Sequence, residues 1–340
     1  MKKMKIGAHD LDNKILIIAE IGNNHEGHFS LAEDLIGKAA ESGVDAVKFQ
    51  TYNTEAFIDP EYRSQYQKMK TFELTPEDFV KLSRLARSLG LLFISTPFNL
   101  SSIAILGEIT DALKIASGDN TFPQLIEEVA QTGKPIIMST GFADLAVVQA
   151  AANLIEDVWH KSQINPGLVL LHCIASYPTA NDATNLKAIQ SLIANFPNLT
   201  IGYSDHTIGI DAAVAAVALG ARVIEKHFTV DNNFSEFRDH QLSANPQTLK
   251  AMVEQITKTS LMLGNGEVEL AACERTGISS FRRSAFAAAD LESDREIGVG
   301  DILWMRPGRG IPPNHSAQII GRRVNRRIGK LELIRLEDLI

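Results

Sequence analysis

An α/β fold is predicted: a (β/α)8 TIM barrel followed by a small, mostly β domain. Three observations lead there. Eight short apolar runs, rich in β-branched residues, recur between residues 14 and 229, and each turns polar at its C-terminal end. Longer helical patterns lie between them. After about residue 265 the chain changes to short runs broken by Gly and Pro.

The apolar runs are 14–22, 46–51, 91–98, 112–118, 135–141, 168–176, 200–206 and 222–229. Continuous apolar stretches of this length suit parallel strands covered on both faces. Helix signals punctuate the gaps. Ser30 and Glu33 read as a capping box, with Gly43 past the helix end. Thr75, Pro76, Glu77 and Asp78 supply an N-cap, a proline at N1 and two acids in the first turn. Gly90 and Gly133 mark the next helix ends. Asp211 opens an Ala-rich helix ending at Gly220, and Pro246 opens one running to about Leu263. Eight strand–helix units fit a closed barrel. A doubly wound open sheet is the runner-up, but no Gly-x-Gly-x-x-Gly follows the first strand.

These patterns divide the chain into a barrel over 1–265, a polar linker with a short helix over 266–280, and a small domain over 281–340. Roughly 60 residues is near the lower limit for independent folding, so the small domain is expected to lean on the barrel or a neighbouring chain. The chain has 340 residues, 45% hydrophobic and 22% charged, with a net charge of −8. That balance argues against general affinity for nucleic acid or anionic membrane. The two cysteines, Cys173 and Cys273, form no disulfide framework. The opening MKKMK resembles the n-region of a signal peptide, but Asp10 and Asp12 stand where an apolar stretch should follow. The apolar runs are too short to span a bilayer. The expectation is a cytoplasmic enzyme.

Barrel chemistry sits at the C-terminal ends of the strands. Those ends carry Glu20 and Glu26, Lys48 and Gln50, Thr96, Lys114 with Ser117 and Asp119, Ser139, His172 with Tyr177, Ser204 with Asp205 and His206, and Glu225 with Lys226 and His227. Lys48 and Lys114 put positive charge at one mouth of an acidic protein. With Thr96, Ser117 and Ser204 they could bind a phosphate or carboxylate. The plainer reading pairs each lysine with Glu20 or Glu225. His206 and His227 end adjacent strands and could share a divalent ion; two imidazoles with open positions suit Mn, Fe, Co or Zn better than Ca or Mg. The plainer reading makes each a satisfied polar residue. Glu26 reads equally as a loop acid, Cys173 as core, and His28, His160 and His315 as surface.

The segments AEIGNNHEG (19–27), VKFQT (47–51), STPF (95–98), LKIASG (113–118), KPIIMSTG (134–141), HC with YPT (172–179), IGYSDHT (201–207) and EKHFT (225–229) resemble the sialic acid synthase family. FRRSAFAAADL, WMRPGRGI (304–311) and IIGRRV (319–324) resemble its C-terminal antifreeze-like SAF domain. The resemblance spans nearly the whole chain. It implies condensation of phosphoenolpyruvate with an N-acyl amino-sugar aldehyde, such as N-acetylmannosamine, giving a nonulosonic acid such as N-acetylneuraminate plus phosphate. It makes His206 and His227 metal ligands, for Mn²⁺ first, with Mg²⁺, Co²⁺ or Fe²⁺ as alternatives. It implies that Lys48, Thr96, Lys114, Ser117, Tyr177 and Ser204 hold phosphoenolpyruvate. Glu26 would lie near the reacting carbons and Asp239 would meet the acceptor. It implies a domain-swapped homodimer in which Arg306 reaches the acceptor from the partner chain.

Three positions depart from the family pattern. Ala175 stands where Asn or Ser is usual, Asp119 where Glu is common, and EFRDH (236–240) replaces a GPDH form and adds Arg238. They open the acceptor to a legionaminic or pseudaminic type, or to a phosphorylated sugar. Two rival readings are a Schiff-base aldolase using Lys48, Lys114 or Lys226 on pyruvate, and a non-catalytic sugar-binding protein.

Overall fold

The structure, a computed structural model, describes residues 4–340; the first three residues of the MKKMK stretch lie outside it. Two compact units divide at Gly264 and Asn265. The first is a closed barrel of eight parallel strands: β1 (Leu16–Gly22), β2 (Ala46–Thr51), β3 (Leu92–Pro97), β4 (Ala112–Ile115), β5 (Ile136–Ser139), β6 (Leu168–Cys173), β7 (Thr200–Asp205) and β8 (Val223–His227), with β8 pairing back to β1. Every one of the eight runs named above contains one strand.

Side-chain alternation divides the work of each strand. Ile17, Ala19, Val47, Phe93, Leu113, Ile136, Leu170 and Ile201 face outward into the layer shared with the helices. Leu16, Ile18, Ala46, Ile94, Ala112, Ile137, Val169, Leu171 and Val223 form a separate cluster inside the barrel. One step further along the same inward rows stand Glu20, Lys48, Thr96, Lys114, Ser139, Ser204 and Glu225, all buried. The interior is therefore apolar below and polar at the mouth. Gly202 belongs to the inward row, where a Cβ would lie 2.4 Å from the Val223 carbonyl and 2.5 Å from Leu171.

Helices cover the outside, with short ones where the shell is tight. The helix after β1, α1 (Phe29–Glu41), corrects the predicted capping box. Its N-cap is His28, with no side-chain cap, and Ser30 already lies within the helix. The chain enters through Gly27, and the helix is under way two residues before the start that a Ser30 cap would give. A Cβ on Gly27 would lie 2.1 Å from the Thr71 carbonyl. The predicted Thr75 cap is present, with the reciprocal Asp78 bond. Asp211–Ala218 and Pro246–Leu263 are also helical. No helix among the described residues is long and apolar enough to cross a membrane.

One element has no counterpart in the sequence reading. A hairpin pairs Lys5–Ile6 with His9–Asp10 ahead of β1. Its Ile6 and the following Leu11 are buried and join the lower interior cluster. The hairpin thus plugs the barrel where the strands begin.

The second unit, Asn265–Ile340, opens with short helical turns over Ala272–Gly277 and Ile278–Phe281. β9 (Ser284–Ala287) pairs with β10 (Ile302–Met305) in antiparallel register. Isolated bridges join Leu291 to Ile328 and Val324 to Leu339. Its core gathers Ala285, Leu291, Ile297, Ile319, Val324, Ile328 and Ile334.

Truncating the plug should destabilise the barrel without touching the mouth. Ile6→Ala is expected to cost about 2–5 kcal/mol in denaturant unfolding, as for other buried large-to-small changes. Residual ligand binding at the mouth should be unchanged; a loss under 0.5 kcal/mol would refute the plug.

Candidate active site

The centre of the mouth is a buried charge cluster. Lys48 Nζ lies 3.0 Å from Glu20 Oε2 and 3.4 Å from Glu225 Oε2, and donates to Thr96 Oγ1 at 3.4 Å. Register explains the meeting: β1 pairs Glu20 with Lys48 on β2, and β8 pairs Glu225 with Ser204 on β7. Ser204 donates to Glu225 Oε1 at 2.8 Å, and Gln50 to Glu20 Oε1 at 3.0 Å. Burial pushes both carboxyls up. For Glu225, Lys48, Lys114 and the Ser204 bond outweigh burial and hold it down at about 2. Glu20 stays raised, by burial and by the neighbouring Glu225 charge. Burial also opposes the charge on Lys48, but the two carboxylates keep it protonated. The plainer reading of Lys48 as a paired lysine therefore holds, with both predicted partners at once.

Lys114 differs. It donates to Ser139 Oγ at 2.6 Å and to the Ile115 carbonyl at 3.0 Å, and it makes no ion pair within 4 Å among the described residues. Burial lowers its pKa, partly offset by Glu225. An ammonium held this way gains most from an incoming anion. Ser117 lies beside it on the β4 loop, with its hydroxyl 3.5 Å from Cys173 Sγ. A Cβ on Gly141 would come within 2.6 Å of Ser117 Oγ and 3.3 Å of Ala175 Cβ. Glycine keeps that corner open. A cleft of about 550 Å³ borders Gly141, Cys173 and Ala175. A larger one, about 850 Å³, opens at the other end of the barrel beside Leu168 and Thr200, away from every charged side chain of the mouth.

The histidines follow from the Ser117 corner, with His206 Nδ1 3.8 Å from Cys173 Sγ. The rings of His206 and His227 are 5.4 Å apart. His206 Nδ1 lies 2.8 Å from the Ile174 carbonyl, which can only accept, so the proton is on Nδ1 and Nε2 keeps its lone pair. His227 Nδ1 is buried without a hydrogen-bond partner, and burial holds this imidazole neutral. A histidine pair with one bare buried nitrogen, His227 Nδ1, fits a divalent ion with open positions. No cluster of three or more His, Cys, Asp or Glu side chains is arranged for a metal among the described residues. Tyr177 lies against His206 at a tilt of 37°, with centroids 4.1 Å apart, and the Arg238 guanidinium sits over the Tyr177 ring at 4.7 Å. Burial raises the Tyr177 phenol well above its ordinary value, so it stays a donor. Arg238 also lies 3.4 Å from Asp239, whose buried Oδ1 has no hydrogen-bond partner.

Glu26 sits apart from the lysines, in the loop after β1. It adopts the left-handed conformation at φ +47°, followed by Gly27 at φ +80°. Its Oε1 accepts from Ser235 and lies 3.4 Å from His240 Nε2. Burial lowers the neighbouring His25 to about 4, and its Nδ1 accepts the Gly27 N–H at 3.1 Å. His25 thus shapes the loop as a neutral acceptor. Arg306 lies in the second unit, its guanidinium 5.3 Å from the Phe281 ring.

Several partners escaped the sequence reading. Ser235 and His240 hold Glu26, yet neither ends a strand. Gly141 shapes the Ser117 corner. Lys226, a Schiff-base candidate, is committed to Asp205 Oδ2 at 2.9 Å and to the Thr207 carbonyl. Asp205 is further held by Thr207 and Tyr203. The signal was available in part, since Asp205 and Lys226 are in register on adjacent strands. His28, His160 and His315 are exposed and Cys173 is buried, as expected.

Fold and mouth define a (β/α)8-barrel enzyme whose chemistry lies at the strand C-termini. The chain belongs to the NeuB family, whose model matches residues 35–268. It is 42% identical to an uncharacterised protein of Methanocaldococcus jannaschii, over 100% of this chain and 99% of that one. It is 39% identical to the N,N'-diacetyllegionaminic acid synthase of Legionella pneumophila, over 91% of this chain and 90% of that one. Among solved structures, the N-acetylneuraminic acid synthetase of Leptospira borgpetersenii, in complex with citrate, superposes with a TM-score of 0.76 at 35% identity, covering 82% of this chain and 95% of that one.

Asp119 provides a pH test of the site. Burial raises its carboxyl from 3.8 to about 6, with Lys114 pulling the other way, and its Oδ2 is buried without a hydrogen-bond partner. The folded state then holds a proton that the unfolded state has released, so stability falls as pH rises through that window. Asp119→Asn should lose this slope in melting curves between about pH 4 and 6. Parallel curves for the two proteins would refute it.

Proposed function

We propose that this protein condenses phosphoenolpyruvate with the open-chain aldehyde of an N-acyl amino sugar, yielding a nine-carbon 2-keto sugar acid and phosphate. The observation that carries the reading is Lys114, a buried ammonium without a carboxylate partner, set in the same mouth as the His206–His227 pair. The anion supplies the missing partner. Its binding offsets the cost of burying the Lys114 charge, and Ser117, Thr96, Tyr177 and Ser204 contribute donors. Lys48, already flanked by two carboxylates, contributes less net charge than Lys114. A divalent ion, Mn²⁺ by preference, would be held by His206 and His227 and would supply Lewis-acid polarisation of the aldehyde oxygen.

The chain's own groups then act in order. Lys114 and its neighbours orient the enol so that its C3 electron pair forms the new bond to the aldehyde carbon. Negative charge develops on the aldehyde oxygen and positive charge at C2 of the enol; of the two protons of the water that adds next, one converts that oxygen to a hydroxyl and the other leaves with the phosphate. Water adds at C2, and Glu26 takes its proton. The tetrahedral centre releases phosphate by C–O cleavage. Tyr177, in contact with His206 and Arg238, closes one side of the mouth against bulk water.

The acceptor is of the diacylamino, deoxy type. The 39% identity to the Legionella enzyme named for N,N'-diacetyllegionaminic acid supports this. So does Arg238, which puts a guanidinium beside Asp239. The functional form is a homodimer whose SAF-type unit brings Arg306 to the partner's site, and the setting is the cytoplasm.

Phosphate release from phosphoenolpyruvate with Mn²⁺ and a panel of N-acyl hexose aldehydes tests the reaction. The diacetamido trideoxy acceptor should turn over fastest, and Lys114→Met should lower kcat/KM by about 10²–10³-fold, the scale of losing one key electrostatic donor. Silence with every acceptor would sink the reaction; faster turnover of N-acetylmannosamine would sink only the acceptor. Arg306→Ala and His206→Ala chains, each inactive alone, should regain activity when their subunits are exchanged. No recovery would count against Arg306 acting in trans.

A further inference from the structure

The loop after β8 is built onto Glu26, and the bonds fall on one oxygen. Ser235 takes the Phe237 N–H on its Oγ at 3.0 Å, so its own proton is free to go to Glu26 Oε1. His240 Nε2 faces that same oxygen at 3.4 Å. Glu26 Oε2 makes no hydrogen bond among the described residues.

The proton arrangement on His240 follows from its other side. Nδ1 lies 2.6 Å from Thr229 Oγ1. That hydroxyl could instead turn to the Asp231 carbonyl at 3.0 Å, but the carbonyl already takes the Phe234 N–H. Turning the hydroxyl to Nδ1 leaves nothing bare. The opposite tautomer would set the Nε2 lone pair against a carboxylate oxygen. His240 is fully buried, with Glu26, Asp239 and Asp231 as the charged groups facing it, and burial lowers its pKa. The ring is therefore neutral with its proton on Nε2, which faces Glu26 Oε1 at 3.4 Å as an electrostatic contact outside hydrogen-bond geometry.

The scaffold behind this contact is independent of it. Asn232 donates to the carbonyls of His240 and Ser243 at 2.9 and 2.7 Å. Asn24 donates to the Phe228 carbonyl at 2.8 Å and to Ser243 at 3.1 Å. These bonds set the loop's shape without help from the carboxylate.

We propose that Ser235 and His240 are positioning residues that clamp Oε1 of Glu26, leaving Oε2 as the oxygen that receives the proton of the attacking water. The clamp counters the freedom of a carboxylate on a left-handed loop residue. It also joins the proton-accepting carboxylate to the loop that carries Asp239, so both substrates are served by one rigid unit. This rests on the role given to Glu26 above.

Ser235→Ala is the first test. It should lower kcat by about ten- to a hundredfold, the scale of a misplaced catalytic group, while KM for phosphoenolpyruvate and the melting temperature stay unchanged. Ser235→Thr, which keeps the hydroxyl, should restore most of the rate. A wild-type kcat in Ser235→Ala, or a loss that Thr fails to rescue, overturns the clamp. The second test needs no turnover. Nitrogen NMR of the full chain labelled at histidine, with the His240 signals identified by their loss in His240→Gln, should show the Nε2–H tautomer at neutral pH. The Nδ1–H tautomer overturns the clamp even in an active enzyme. If the wild-type protein releases no phosphate, the reaction is wrong, and the tautomer still decides the geometry.

Discussion

Burying charge inside a closed barrel constrains everything else in this molecule. An unpaired ion in such an interior costs several kcal/mol, so each must find a partner of matching geometry. Lys48 meets that demand with two carboxylates, each steadied by a further donor, Gln50 for Glu20 and Ser204 for Glu225. Strand register delivers those contacts. A shift of one residue on β1 or β8 would turn Glu20 or Glu225 outward into the helix layer and strand the lysine. The charged mouth and the closed barrel therefore specify each other. Lys114 is the exception, held by a hydroxyl and a carbonyl. Burial lowers its proton affinity, and no carboxylate lies close enough to offset that as fully as for Lys48.

The same logic separates structural charge from working charge. Lys226 and Asp205 are as buried as the mouth residues, but every polar contact around them is filled within the chain. Nothing is left for a ligand. His227 Nδ1, Asp119 Oδ2 and Asp239 Oδ1 are buried with no hydrogen-bond partner, and all three stand at the mouth. Unsatisfied buried polar atoms are rare in native proteins, and these three set the mouth apart from the filled contacts of Lys226 and Asp205.

The barrel was legible because period-two alternation and strand-end polarity are properties of single segments. So were most of the mouth side chains, which occur where those runs turn polar. What stayed hidden depends on distance through space. Ser235 and His240 reach Glu26 across more than two hundred residues of chain, from a loop with no regular period. The capping box at Ser30 failed because the constraint on that helix start is Gly27 against the Thr71 carbonyl, a tertiary contact. The terminal hairpin is not legible because two-residue strands fall below any periodicity. Asp205 and Lys226 were both seen, but their pairing needs the register of β7 against β8.

That hairpin has a practical consequence for handling the barrel. Ile6 and Leu11 are the interior's lower stopper, so the hairpin over residues 5–10 lies on the face opposite the mouth. An affinity handle or surface tether joined there would present the mouth outward, free of steric shadow. Trimming the chain to Leu16, by contrast, would remove both stopper residues and wet the hydrocarbon floor on which the charged layer stands. The leading residues are an integral part of the barrel, and immobilisation schemes should keep them while using them.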